Sequence, residues 1–89
     1  MVGTWKIASM EPCGLPEAVA TAFSQVTTNM VGARYIPVLY CGEQLVNGMN
    51  YMIICKQILV TNPPVEHIVA MVINCNNNVS SIISIEQIV

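Results

Sequence analysis

The sequence predicts an α+β fold, with one α-helix packed across a curled four- to five-stranded antiparallel sheet. Three observations lead there. A single apolar stripe at helical spacing lies between Glu17 and Val31. Everything after Ala33 reads as strand, rich in β-branched and aromatic residues. Three turn signals, Asn47-Gly48, Thr61-Asn62-Pro63-Pro64 and Asn74-Cys75-Asn76-Asn77-Asn78, divide that region into four consecutive runs. A helix with one apolar stripe and a sheet with one apolar face bury each other.

In chain order, Thr4–Ser9 alternates partly around Trp5 and Ile7 and is expected to form a short edge strand, the fifth of the sheet. Met10–Pro16 is a connector with two prolines and a glycine. Pro16 suits a helix start, where its missing N–H costs nothing, and Glu17 complements the helix N-terminus. Val19, Ala22, Phe23, Val26 and Met30 form the stripe, opposite Thr21, Gln25 and Thr28. Gly32 is placed to end the helix as its C′ residue. The strands follow as Arg34–Leu45, Met49–Val60, Glu66–Asn74 and Ser80–Val89. The paired prolines 63 and 64 cannot sit inside a ladder. Asn47-Gly48 reads as a two-residue hairpin turn, since both residues tolerate positive φ. Leu45 and Val46 beside it are out of character for a turn that only reverses the chain, and nothing nearby in sequence would cover them.

The chain has 89 residues and reads as one domain over 1–89, large enough for a single core without a sizeable pocket. It is 54% hydrophobic and only 9% charged, so it must fold to stay in solution. Its three cations, Lys6, Arg34 and Lys56, are scattered, which argues against a nucleic-acid partner. No apolar run approaches the ~18 residues of a membrane span, so no membrane role is expected. The amino-terminal residues lack a basic end followed by an apolar run, and the expected location is the cytoplasm, or outside the cell if a leader has been removed.

Cys13, Cys41, Cys55 and Cys75 contain no C-x-x-C pair. Zinc and thioredoxin-like chemistry are therefore not expected, and no cofactor or metal is called for. Reduced thiols behaving as small hydrophobes are favoured over two disulfides. His67 is the one histidine and is expected as a strand-end residue rather than the partner of a catalytic thiol. No enzyme is expected: no group of matched catalytic side chains is discernible. Asn78-Val79-Ser80 fits a glycosylation sequon, which matters only in a secretory chain.

In a meander of four strands the first and third turns fall at the same end. The tips Leu45–Gly48 and Cys75–Asn78 should then project together, with the start of the chain beside them, as a narrow apolar wedge.

This arrangement resembles the cystatins. Gln44-Leu45-Val46-Asn47-Gly48 matches their Gln-x-Val-x-Gly hairpin motif at its three fixed positions. One helix precedes it, Asn50-Tyr51 follows it, and Gly3 stands near the amino terminus, where the family keeps a glycine. The resemblance covers the chain in element order, and the cysteine placement is more similar to the stefin branch. It implies a reversible, tight-binding inhibitor of papain-like cysteine proteases. Gln44, Leu45, Val46, Asn47 and Gly48 would form the first hairpin of the wedge. Asn76 and Asn77 would stand in the second hairpin, where secreted members carry Pro-Trp and this chain has no aromatic. Gly3 would let the segment bearing Val2 bend into the cleft. The alternative is a non-inhibitory binding or structural domain of the same fold, including a domain-swapped homodimer opened at the first hairpin.

Overall fold

The computed structural model describes Gly3 and residues 5–89. A helix α1 (Glu17–Thr27) is followed by strands β1 (Ala33–Val46), β2 (Gly48–Leu59), β3 (Val65–Asn76) and β4 (Val79–Gln87). The strands form one antiparallel sheet in the order β1-β2-β3-β4. This is the α+β class that the stripe and the turn signals predict.

The sheet alternates as a half-buried sheet should. Tyr51, Ile53 and Cys55 of β2 and Val69, Met71 and Ile73 of β3 point to one face and are buried. Val19 and Ala22 of α1 close that core, and Phe23 and Val26 border it. The small Ala22 lets the helix approach closely. Burying a side chain such as Ile53 or Met71 stabilises the fold by roughly 1.5–3 kcal/mol. The helix lies over β3 and β4 rather than across the middle of the sheet.

Several expectations need correction. No strand forms over Trp5–Ser9, so among the described residues the sheet has four strands, the lower of the four to five expected. Trp5 is 81% exposed, and without burial nothing compensates the entropy of ordering an added strand. The position a fifth strand would take, outside β1, is touched instead by the connector, through Cys13 N–H donating to Pro37 O at 2.9 Å. Pro37 and two register shifts, between Pro37 and Leu39 and between Tyr40 and Gly42, further roughen that edge.

The helix stops at Thr27 rather than continuing towards Val31. The hydroxyls of Thr27 and Thr28 donate back to the carbonyls of Phe23 and Ser24. Such back-bonding by β-branched residues weakens the last turn. Met30 thus lies outside the helix. Gly32, at φ +90°, does not cap it but turns the chain into β1, its carbonyl accepting from Val60 N–H at 2.8 Å. Lys56 and Glu66 form an ion pair at 3.0 Å across β2 and β3. No helix is long and apolar enough to cross a membrane among the described residues.

Candidate functional site

The β1–β2 tip is tighter than a two-residue turn. Val46 pairs with Gly48 across Asn47 alone, and only Gly48 has positive φ, at +88°. The expectation that Asn47 shares it is corrected. Glycine is required at position 48 for a second reason. A Cβ there would lie 2.4 Å from Cys75 O and 2.8 Å from Asn76 Cβ. The first tip is therefore pressed against the end of β3.

At the β3–β4 tip the turn consists of Asn77 and Asn78, both in the left-handed region, at φ 52° and 64°. Asparagine tolerates that region better than other non-glycine residues. Here β3 runs on to Asn76, so the turn is shorter than the Asn74–Asn78 stretch suggests, and Asn76 is a strand residue beside Gly48.

A relay of side-chain amides fixes the two tips to each other. Asn74 Nδ2 donates to Asn50 Oδ1 at 3.0 Å and to the Asn47 backbone carbonyl at 3.3 Å. Asn50 Nδ2 donates to Gln44 Oε1 at 3.3 Å. Gln44, Asn50 and Asn74 are direct partners in register on β1, β2 and β3. The relay runs across the sheet face away from the helix, one step behind the tips.

On this base the apolar side chains project unprotected. Leu45 is 82% exposed and Val46 41%, and Val79 of the second tip is 70% exposed. Asn47, Asn77 and Asn78 are also exposed. The structure thus brings together Gln44, Leu45, Val46, Asn47, Gly48, Asn76 and Asn77 at one end of the sheet.

Gly3 is not among them, and the expectation that it stands beside the tips is corrected. Gly3, Trp5 and Ile7 line a cleft with Pro64, Val65 and His67. Val65 pairs with Leu59 at the end of the sheet opposite the tips. From there to Asn76, β3 spans about 35 Å at ~3.3 Å per residue. Trp5 has no edge strand to carry it to the other end. Val2 lies outside the described residues. His67 sits half-buried on β3 at that far end.

Other chemistry is sparse. Among the described residues, no three His, Cys, Asp or Glu side chains converge as a metal site. All four cysteines are free thiols. Burial pushes the Cys55 thiol up to about 12, with smaller contributions from Cys13 and Cys41, so it is a core group and not a nucleophile.

Two features of the site escaped the sequence reading. Gln44 and Asn50 stand three residues either side of Asn47, so their pairing follows once the tip is placed. Asn74 gave no such signal, because the β2–β3 connection does not fix the register of β3. No family model, no curated protein and no solved structure matches this chain.

Proposed function

We propose that the chain is a reversible, tight-binding inhibitor of papain-like cysteine proteases, with a fold of the cystatin kind and a cysteine placement more like that of the stefins. The observation that carries the reading is the braced first tip. Leu45 and Val46 are exposed beside a glycine held against β3, and the Asn47 carbonyl is gripped by Asn74. The Gln44–Gly48 motif supports the choice of target. The tip enters the protease cleft edge-on, and Leu45 and Val46 meet its apolar walls. Asn77 and Val79 of the second tip contact the adjoining rim. The backbone lies across the catalytic cysteine without offering it a bond to cleave. A preformed tip loses little entropy on docking, so an interface of ~1,600 Å² can be tight.

Two hairpins carry the contact, since Gly3 stands at the other end of the sheet. The four free thiols support a cytoplasmic setting. The test is titration of purified monomer against papain with a fluorogenic substrate. Stoichiometric loss of activity is expected, and full papain activity at excess monomer would overturn the reading.

A second reading is a non-inhibitory binding or structural domain that forms a domain-swapped dimer. It draws on the length of β1 and β2, 14 and 12 residues, joined through Asn47 alone. Gel filtration separates the two readings, because a stable dimer with Leu45 and Val46 covered favours the second.

A further inference from the structure

We infer that Asn47-Gly48 is a self-modifying site, at which loss of ammonia through a succinimide breaks the first hairpin tip. The chemistry is internal to the chain. The Gly48 backbone nitrogen gives up its proton and attacks Asn47 Cγ. The new N–Cγ bond closes a five-membered imide, the Cγ–Nδ2 bond breaks, and ammonia leaves with the proton. Water then opens the imide. Attack at one carbonyl yields aspartate. Attack at the other yields an isoaspartyl residue, whose main chain runs through the former side chain and is one methylene longer. Water is the only co-reactant.

Four observations select this asparagine among the eight in the chain. It alone is followed by glycine, so no Cβ on the following residue hinders the approach of the nitrogen. Asn47 is exposed, so water reaches the imide. Among the described residues its side-chain amide has no hydrogen-bond partner, whereas the amides of Asn50 and Asn74 are both held in the relay. Asn77 and Asn78 share its exposure but precede Asn78 and Val79, whose side chains crowd the attacking nitrogen.

The site cannot be protected by substitution at the glycine. Any Cβ at position 48 would collide with Cys75 O. The residue that makes the tip possible also makes its asparagine labile. The consequence is local. A longer main chain at position 47 displaces the carbonyl that Asn74 holds and disturbs the pairing of Val46 with Gly48. Aspartate keeps the tip length but adds a charge beside Val46. That part of the inference rests on the proposed function, because the tip is the surface offered to the protease.

The test is a time course of the whole chain at mildly alkaline pH, with peptide mass analysis and isoaspartyl detection. Asn47 is expected to convert about tenfold faster than Asn77, a barrier lower by roughly 1.4 kcal/mol. An Asn47→Ser chain must lack the early acidic species. The converted fraction, isolated by ion exchange, is expected to titrate papain far more weakly than fresh protein and to unfold at lower urea. An Asn47 amide that survives while Asn77 converts would overturn the inference. So would a converted fraction that matches fresh protein in both assays. If fresh protein fails to inhibit papain, the proposed function falls on its own, and the conversion rate and urea midpoint still decide this inference.

Discussion

The two hairpin tips stand side by side on one sheet and are built for different work. The β3–β4 turn uses two asparagines in the left-handed region and presents mostly amides. Its residues suit reversing the chain. The β1–β2 tip turns through Asn47 with one glycine at positive φ, and it leaves Leu45 and Val46 in water. Its residues do not suit a turn alone. The second hairpin braces the first: Cys75 and Asn76 form the wall behind Gly48, and Asn74 holds the Asn47 carbonyl. The first hairpin presents the larger apolar surface, and its neighbour supports it while adding a smaller contact. The difference locates the candidate surface without any pocket.

The sharpest way to break the comparison is at the contact between the tips. Gly48→Ala combines a disfavoured φ with an overlap against backbone atoms of β3. Urea unfolding should show a loss of about 3 kcal/mol, and papain inhibition should disappear with it. An unchanged urea midpoint would mean that the two tips are not in contact.

Val46→Asp separates presentation from support. The side chain is exposed, so stability should change by less than about 0.5 kcal/mol. The papain dissociation constant should rise roughly 100-fold, equivalent to about 2.7 kcal/mol. Inhibition equal to that of the parent would remove Val46 from the wedge.

Asn74→Ala tests the brace without touching the presented side chains. It removes both hydrogen bonds donated by the Asn74 amide. A loss of about 1–2 kcal/mol is expected by urea titration, with faster hydrogen exchange at both tips. Protection unchanged at the first tip would show that the relay does not hold it.

Cys55 gives a pH prediction from the core, away from the tips. Its thiol stays protonated in the fold to about 12, while in the unfolded chain it ionises near 9.0. Above the unfolded value the native state binds the extra proton. Stability should therefore be undiminished below 9 and fall as pH rises towards 12. Thiol titration of the native protein should label exposed Cys41 first and Cys55 last. Early labelling of Cys55 would contradict its burial.

Asn77→Gly should do least. Glycine accepts φ 52° readily, so the urea midpoint should shift by less than about 0.5 kcal/mol and papain inhibition should hardly change. A large effect on inhibition would make the second tip the equal of the first in the contact, rather than its rim.

Much of this molecule is legible in its residues. The spacing of Val19, Ala22, Phe23 and Val26 specifies the helix and its buried face. Asn47-Gly48 and the Asn74–Asn78 stretch mark the two tips, whereas the run Tyr51–Cys55 is apolar throughout and its inner face is set only by packing. These are local signals, set by steric limits on φ and by the 3.6- and 2-residue periods of side-chain direction. Leu45 and Val46 stand out in sequence for the same reason, as apolar residues next to a turn.

Only the tertiary structure decided the rest. The fate of Trp5–Ser9 depended on whether a β1 edge was open to it, and the connector at Pro37 with the register shifts roughened that edge. That outcome placed Gly3 at the end of the sheet away from the tips. Likewise, Asn74 meets Asn50 and Asn47 only because β3 pairs with β2 in one particular register. By itself the sequence determined one helix, the four later strands and the turns between them, because those choices depend on neighbours along the chain. Which segments lie side by side depends on residues far apart in sequence competing for the same edge and the same core, and that competition is resolved only in the folded chain.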